Sequence, residues 1–505
     1  MRKALALGAA LAATAVFAAP AAAGFKTAKP PYLVPEPTAP GVVIKPILST
    51  GDVITNSPHP FGYQMSGIPD GLGSYANKHW GWTWSHKDWS HHPGKTFNIV
   101  MNHELGQNFP NNPPGVDARI SQLTIKKSDL SVEFAEYLFK GTEFYERFCS
   151  ATLAMIHGRP MYFTGEEAVV TPPQFPPHDG SSIVMDPITG MWRDTEHFGH
   201  LQHENVVPLR LKKWVFVTTD DDFRTAPRTD SYLYAYMSDS FLGGITGREG
   251  SLYVWKADNH TAKFDNTTIV KGEVVPGRFV PIPQSDNESS ADLKTAAAAR
   301  NAFKFDRLED FTEIPSRPWE TYFAETGKPP KTLAGRVFRF VFDKRDPTRA
   351  SLQMILNGDP PDNDDIRNPD NTDASEKVLV IQEDREAAFR GDVGGSTGFN
   401  RVMVYEFRSK RLYSVARVAT PATLRPGTWE SSGVDDARHT IGKDWWILDV
   451  QAHSTTAPQP GRDLKPNSSA GEDGQLLAIK IPGSQGGGRH DDDDDDDDDD
   501  EDDDD

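Results

Sequence analysis

The sequence predicts an all-β protein, a β-propeller of five to seven blades with a short helical insertion. Three observations predict this fold. Many short apolar segments, some with alternating polar residues, are separated by turns rich in Gly, Pro and Asp. Helical patterns are scarce. The number of short strands is larger than a two-sheet sandwich usually needs, whereas a propeller repeats four-stranded sheets around a channel.

The predicted strands share an apolar centre and polar flanks. They are residues 96–102, 120–126, 131–140, 161–164, 214–218, 231–237, 251–255, 336–342, 378–381, 401–407, 412–418, 445–450 and 476–481. One segment, ADLKTAAAARNAF at 291–303, instead predicts a helix because it is rich in alanine and lacks β-branched runs. The helix is expected to lie in an insertion between strands.

Residues 1–23 have the pattern of a secretory signal peptide. Arg2 and Lys3 precede an apolar run at 4–19, and three alanines at 21–23 supply small residues for cleavage. No later segment approaches the roughly 20 apolar residues that span a bilayer. We therefore expect export to the periplasm or the cell exterior, without a membrane span.

The remaining chain divides into three regions. Residues 24–60 are rich in proline and are expected to form an extended lead-in. Residues 61–482 hold the predicted strands and form the propeller domain. Residues 483–505 are a Gly-rich and acidic tail in which 491–505 are all Asp or Glu, so self-repulsion predicts disorder.

The charge balance excludes one class of partner. The formal net charge is −20, and without the acidic tail about −5 remains. No basic patch offsets the acidic residues, so nucleic-acid binding is not expected. The expected partner is a small molecule, and the expected oligomeric state is a monomer.

Cys149 is the single cysteine and cannot form an internal disulfide. It is therefore a buried hydrophobic side chain, a reactive thiol or a metal ligand, and the sequence leaves these three interpretations open.

Polar clusters follow or separate many of the predicted strands. They contain Asn102–Glu104, Glu166–Glu167, His203–Asn205, Asp220–Asp222, Arg307–Asp310, Asn368–Asn371, Glu383–Asp384, Glu430, Asp449 and His453. Each acid alone could cap a turn. In a propeller, however, the loops of every blade meet at the ends of one channel, so these clusters can converge. Carboxylate and amide oxygens favour calcium, and a thiolate among them favours a transition metal such as iron.

Several common catalytic motifs are absent from the sequence. It contains no HExxH, zinc-type CxxC or P-loop motif. One G-x-S-x-G match, at 394–398, lacks the strand and helix of a nucleophile elbow and is interpreted as a glycine-rich turn.

An ordered set of motifs resembles the PhoX-type alkaline phosphatases and related exported bacterial proteins. The motifs are Asn102-His103-Glu104, Cys149, Thr164-Gly165-Glu166-Glu167, Phe198-Gly199 with His203-Glu204, Thr219-Asp220-Asp221, Tyr232-Leu233-Tyr234, Gly250 to Val254, Asp306-Arg307-Leu308-Glu309, Pro369-Asp370-Asn371 and Ile381 to Asp384. They extend over most of residues 95–455.

The resemblance implies a propeller that holds iron and calcium and releases phosphate from phosphomonoesters. Arg307 would bind the phosphoryl oxygens, and Asn205 is the other catalytic candidate. The implied metal ligands are Cys149, Glu204, Glu309 and Asp370, with further candidates Glu104, Glu167, Asp221 and Asp384.

Two alternatives remain open. The protein could be a calcium-stabilised secreted propeller that binds a ligand or partner, or a calcium-only hydrolase of the phytase or phosphodiesterase kind. Calcium alone is expected if Cys149 is not a ligand, so the position of this thiol relative to the acidic clusters separates the alternatives.

Overall fold

A computed structural model of the protein describes residues 24–77, 94–106, 117–169, 178–223, 230–384 and 398–485. Within these ranges the chain forms β-sheets and two short helices, arranged as a propeller, so the predicted all-β class is confirmed. The expected signal peptide at 1–23, most of the acidic tail and most of the glycine-rich turn at 394–398 lie outside the described residues.

Four short strands precede the first blade, three of them in the lead-in. They are β1 (Leu33–Pro35), β2 (Val43–Ser49), β3 (Val53–Ile54) and β4 (Tyr63–Gln64). Strands β3 and β4 pair only with each other, whereas β1 and β2 join blades formed by distant parts of the chain.

Six blades follow in the described residues, each beginning with its innermost strand. Blade 1 is β5 (Pro69–Ala76), β6 (Thr96–His103), β7 (Arg119–Lys126) and β8 (Val132–Phe139). Blade 2 is β9 (Phe148–Ile156), β10 (Arg159–Glu166), β11 (Ser182–Asp186) and β12 (Met191–Asp194). Blade 3 is β13 (His203–Arg210), β14 (Trp214–Asp220), β15 (Leu233–Ser238) and β16 (Ser251–Ala257), with helix α1 (Phe241–Ile245) between its last two strands.

Strand β17 (Val274–Ile282) and helix α2 (Ser290–Ala299) connect blades 3 and 4. Blade 4 is β18 (Leu308–Ile314), β19 (Arg317–Glu325), β20 (Arg336–Phe342) and β21 (Arg349–Asn357). Blade 5 is β22 (Pro369–Ala374), β23 (Val378–Glu383), β24 (Arg401–Glu406) and β25 (Leu412–Val418). Blade 6 is β26 (Glu430–Asp436), β27 (Trp445–Gln459) and β28 (Ser469–Lys480).

The innermost strands form a closed ring around the channel. Each contacts the innermost strand of the next blade, and β26 returns to contact β5. Blade 6 gains its fourth strand from β2, which pairs with β28, while β1 extends blade 5 beyond β25. Strand β17 pairs with both β16 and β21 and so joins the outer edges of blades 3 and 4.

The blades are held together by apolar side chains between neighbouring sheets. Strand β6 is buried along its whole length because both faces of its sheet are covered. Between blades 1 and 2, the rings of Phe139 and Phe148 lie 5.2 Å apart. This packing orients each sheet so that its innermost strand lines the channel.

The structure differs from the sequence predictions in two respects. Helix α2 begins at Ser290, where Ser289 caps its first turn, and ends at Ala299 rather than at residue 303. None of the six innermost strands was among the predicted strands, and the sequence prediction also missed β11, β12, β17, β19 and β21. No helix in the described part of the chain is long and apolar enough to cross a bilayer.

Candidate metal centre

The six innermost strands place one acidic or thiol side chain each at the same end of the channel. These residues are the first or second residue of their strand: Asp70, Cys149, Glu204, Glu309, Asp370 and Glu430. We call them the inner ring. Because the innermost strands run in the same direction around the channel, equivalent positions converge although they are far apart in sequence.

A β-bulge accompanies the inner-ring residue in five blades. In each, two successive residues oppose one residue of the second strand: Asp70–Gly71, Cys149–Ser150, Glu204–Asn205, Glu309–Asp310 and Asp370–Asn371. A bulge increases the local twist and changes the direction of a side chain. The repeated bulge therefore explains how a short strand can direct its first residues toward the channel mouth.

An outer ring comes from the second strand of four blades. Glu104, Glu167, Asp221 and Asp384 each follow directly after the last residue of β6, β10, β14 and β23. The sequence prediction of acids at strand ends therefore describes this ring well. Its residues approach the inner ring from the side.

Members of the two rings form three overlapping triads of ligand atoms, each with all its atoms within 4.8 Å of one another. The triads are Asp70–Glu104–Cys149, Cys149–Glu167–Glu204 and Glu204–Glu309–Asp370. Cys149 and Glu204 are each shared by two triads, so the seven residues form one continuous cluster. Six of these seven were predicted as metal ligands from the sequence, and Asp70 was missed.

The Cys149 thiol lies inside this cluster. Its Sγ donates a hydrogen bond to Asp70 Oδ2 over 3.1 Å. Burial, followed by the negative charges of Asp70, Glu204 and nearby carboxylates, raises the pKa of this thiol well above its ordinary value. A bound cation would reverse that effect, because it favours the thiolate over the thiol.

The pKa values of several carboxyl groups in the cluster are raised in the same way. Burial and neighbouring acids raise the pKa of Asp70 to about 7 and that of Glu309 to about 8. The pKa values of Glu167, Glu204 and Asp370 are also raised, and burial is the largest cause for each. So many acids in one buried place are unfavourable without compensating positive charge.

The donor set fits metal ions. Glu204 Oε2 is buried without a hydrogen-bond partner in the described residues, as an oxygen reserved for a cation would be. A thiol surrounded by carboxylates suits a transition metal such as iron, whereas the all-carboxylate triad Glu204–Glu309–Asp370 suits a hard cation such as calcium. The cluster could therefore hold both kinds of metal.

Arg307 lies against this cluster. Its Nε and Nη2 donate to the two oxygens of Asp221 at 2.9 and 2.8 Å, and Nη2 also pairs with Glu309 at 3.2 Å. The Arg307 side chain is 15% exposed, whereas both carboxylates are almost fully buried. Part of the arginine side chain is therefore open to solvent while the acids that orient it are not.

The catalytic candidate Asn205 is directed elsewhere. Its Oδ1 accepts a hydrogen bond from Thr152 at 3.1 Å, and its Nδ2 donates to Asp310. The side chain of Asn205 is therefore hydrogen-bonded to neighbouring innermost strands, and its catalytic role stays a prediction. Asp384 lies beside Glu430, with which it shares a side-chain hydrogen bond.

Several supporting residues were not predicted from the sequence. Ser432 donates to Asp70 Oδ1 at 2.8 Å, and Ser150 donates to Glu204 Oε1 at 2.5 Å. Gln451 Nε2 donates to both Asp70 and Glu104, at 3.0 and 3.1 Å. These short polar residues lie within innermost or second strands and have no sequence pattern of their own.

Helix α2 supports the outer ring from outside. Lys294 Nζ contacts Asp220 at 2.9 Å and Asp222 at 2.6 Å, and both carboxylates are fully buried. The lysine thereby holds the residues on either side of Asp221, the carboxylate that orients Arg307.

The channel continues past the cluster as a cavity of roughly 680 Å³. Its lining includes the later residues of the innermost strands, among them Asn205, Asp310, Asp373 and Asp435. The metal triads therefore occupy one end of a channel whose wall, beyond the cluster, combines polar and apolar side chains.

Fold and site together define a six-bladed propeller with a buried acidic and thiol cluster at one end of its channel. Scans against protein-family models and curated proteins find no match for this chain. The fold is similar to Pseudomonas fluorescens PhoX in complex with vanadate, a transition-state analogue, with a TM-score of 0.57, 13% identity, and coverage of 90% of this chain and 99% of that chain. The expected resemblance to PhoX is therefore confirmed for the fold.

Other similar solved structures align less well. Penicillium chrysogenum alpha-L-arabinanase complexed with arabinobiose has a TM-score of 0.39 and 9% identity, covering 86% of this chain and 99% of that chain. Trypanosoma rangeli sialidase has a TM-score of 0.37 and 10% identity, covering 88% of this chain and 59% of that chain.

Proposed function

We propose that the protein is a metal-dependent phosphomonoesterase that releases phosphate from small organic phosphoesters. The observation that carries this proposal is the meeting of Cys149, six carboxylates and a guanidinium at one end of the channel. The PhoX-like fold supports the same conclusion, since that protein was solved with vanadate, a transition-state analogue.

The cluster divides the metal ligands between two kinds of cation. Cys149 with Asp70, Glu104, Glu167 and Glu204 would hold iron. Glu204, Glu309 and Asp370 would hold calcium, with Asp221 and Asp384 as further ligands from the outer ring. Bound metals would neutralise the phosphate dianion and supply electrophilic assistance to displacement at phosphorus.

Arg307 would bind the phosphoryl oxygens. Asp221 holds Nε and Nη2 of its guanidinium, which fixes the plane of the group before substrate arrives. Because Nε and Nη2 contact Asp221 and Glu309, Nη1 would donate to the phosphoryl oxygens, and the guanidinium charge would stabilise the charge that they carry during transfer. Glu309 connects this arginine to the candidate calcium site.

The test is substrate profiling on metal-loaded protein. We expect p-nitrophenyl phosphate to be hydrolysed at least roughly 10-fold faster than bis-p-nitrophenyl phosphate or phytate, and Arg307→Gln to lower kcat/KM roughly 100-fold. Arg339→Gln is the matched control, because Arg339 donates to Glu320 at 2.7 Å, outside the cluster. Faster hydrolysis of the diester or of phytate would favour the calcium-only hydrolase, and ligand binding without turnover would favour the binding propeller.

We also propose that the protein is exported and acts as a monomer in the periplasm or outside the cell. The charged, apolar and small-residue order of residues 1–23 supports export, whereas the monomeric state stays a prediction from the sequence. Mass spectrometry of protein recovered from the expressing cells tests it: cleavage after Ala23 is expected, and an intact amino terminus on cytosolic protein would contradict it.

A further inference from the structure

A second arginine, Arg147, occupies the position in blade 2 that Arg307 occupies in blade 4. Each precedes the inner-ring residue of its own innermost strand by two positions, Cys149 in blade 2 and Glu309 in blade 4. Both residues have left-handed backbones, with φ values of 55° and 65°. The two arginines are therefore structural equivalents in a repeated architecture.

The left-handed backbone belongs to this position rather than to arginine. Ile68 in blade 1 and Asn368 in blade 5 stand at the same place before Asp70 and Asp370, with φ values of 37° and 48°. Positive φ is uncommon for residues other than glycine. Four blades therefore make the same turn into the innermost strand, and in two of them the turn carries a guanidinium.

Arg147 is oriented as Arg307 is, by one carboxylate on each side. Its Nη2 lies 2.8 Å from Glu104 Oε1 and 2.7 Å from Glu167 Oε2. Its side chain is 19% exposed, against 6% and 2% for the two acids. Like Arg307, Arg147 is thus partly open to solvent while the candidate metal ligands that it contacts are buried.

The two arginines also border the same part of the cluster. Arg147 pairs with Glu167 and Arg307 pairs with Glu309. Glu167 and Glu309 each have a ligand atom within 4.8 Å of a ligand atom of Glu204. Both guanidinium groups therefore contact candidate metal ligands that neighbour Glu204.

We propose that Arg147 is a second phosphoryl-binding arginine, which together with Arg307 selects the dianion of a phosphate monoester. This inference rests on the proposed phosphomonoesterase function. A monoester dianion carries more charge on its terminal oxygens than a diester, so it gains more from two guanidinium groups. Arg147 would thereby contribute to the choice of monoesters over diesters.

The test is the affinity of metal-loaded protein for orthophosphate and orthovanadate, measured by calorimetry, for the wild type, Arg147→Gln, Arg147→Lys and Arg307→Gln. Arg147→Gln is expected to lower the affinity of the protein for both anions roughly 10- to 100-fold. Arg147→Lys should recover only part of the loss, because lysine keeps the charge but lacks the planar fork. Arg339→Gln, the matched control, should bind both anions like the wild type.

Metal content and thermal midpoint, measured on the same samples, separate anion binding from a structural role. Retained metals with weakened anion binding support the proposal. Unchanged anion affinity in Arg147→Gln overturns it, as does a loss of metals that accounts for the weaker binding, because Arg147 would then be a counter-ion of Glu104 and Glu167.

The same samples distinguish failure of this inference from failure of the proposed function. A wild type that hydrolyses monoesters, with Arg147→Gln equal to it in anion affinity, contradicts the inference alone. A wild type that binds orthophosphate through Arg147 but hydrolyses no ester contradicts the function alone. A wild type that binds neither anion overturns the inference as well.

Discussion

The Sγ of Cys149 donates a hydrogen bond to Oδ2 of Asp70 over 3.1 Å, across the boundary between blades 1 and 2. The thiol therefore lies among the acids rather than among the neighbouring apolar residues of its own strand. A calcium-only centre has no need for this thiol, since calcium prefers oxygen ligands. This contact is the feature that favours a mixed metal centre over the two alternatives.

The first prediction concerns which metal each triad binds. Cys149→Ala should lower iron content and leave calcium largely in place, because Cys149 is absent from the triad Glu204–Glu309–Asp370. Glu309→Gln should have the opposite effect. Metal content by mass spectrometry is the measurement, on protein truncated after Gly488 so that the acidic run does not carry calcium.

Parallel loss of both metals in both variants would contradict this division and indicate a single cooperative centre. Absence of iron from the wild type would remove the role proposed for Cys149.

The second prediction concerns the close approach of β5 to β9 at Gly71. A Cβ at this position would lie 2.2 Å from Ala151 N and 2.5 Å from Cys149 O, both backbone atoms that cannot move independently. Gly71→Ala should therefore displace β9, destabilise the fold by about 3 kcal/mol or more and reduce iron content. Urea unfolding and metal analysis are the measurements.

Gly483→Ala is the control for Gly71→Ala. A Cβ on Gly483 would meet nothing within 4 Å, although its φ is +80°. Its expected effect is only the backbone strain of about 1 kcal/mol. Equal effects of the two substitutions would show that the close approach has no special importance.

The third prediction concerns Lys294, which anchors helix α2 to the residues beside Asp221. Lys294→Met leaves Asp220 and Asp222 buried without their cation and should lower the free energy of unfolding by about 3 kcal/mol. The control Lys304→Met breaks an ion pair with Asp230, in which the two side chains are 40% and 31% exposed. This substitution should change the free energy of unfolding by less than about 1 kcal/mol. A Lys294→Met protein as stable as the control would exclude this anchoring role.

The fourth prediction concerns pH and a carboxyl away from the metal triads. Burial, with the nearby charge of Asp436, raises the pKa of Asp435 to about 7. The folded protein therefore holds this proton more tightly than the unfolded chain does. The contribution of the Asp435 proton to the free energy of unfolding is fully present below the ordinary aspartate pKa. It is lost as the pH rises through about 7, the pKa of this carboxyl in the folded protein.

Asp435→Asn should consequently stabilise the protein at pH 8 by about 1 kcal/mol or more and have a smaller effect at pH 5. Asp239→Asn, at a side chain that is 80% exposed, should have little effect at either pH. Urea unfolding at the two pH values is the measurement. A larger stabilisation by Asp435→Asn at pH 5 than at pH 8 would contradict a raised pKa of Asp435 in the folded protein.

Most outer and middle strands were predictable from the sequence because they are apolar, although β11, β12, β19 and β21 were missed. Strands such as β6, β14 and β23 are completely buried between sheets, and their runs of Val, Ile and Phe show this directly. The innermost strands were missed because most of them begin with a polar, bulged segment rather than with an apolar run. Strand β22 reads PDNTDA and β26 reads ESSGVDD, sequences that resemble turns when they are considered alone.

The same contrast explains which site residues were predicted. Glu104, Glu167, Asp221 and Asp384 follow apolar strands, so each has a local signal at the strand end. Asp70 follows no apolar strand and lies in the glycine-rich strand β5, so nothing nearby marks it as part of a site. Alignment of the four segments that share the left-handed turn and the β-bulge, a repeat of backbone conformation rather than of sequence, would have identified it.

The sequence by itself determined the fold class, because alternating and apolar segments reflect burial, a local property of each strand. It also indicated acids at strand ends and a lone thiol that could join them. Tertiary structure alone decided which groups meet: ring closure by β26 on β5 brings Asp70 and Cys149 together with acids from later blades. It also decided that Arg147 and Arg307 are equivalents, because equivalence is set by backbone turns that recur between blades without a shared sequence.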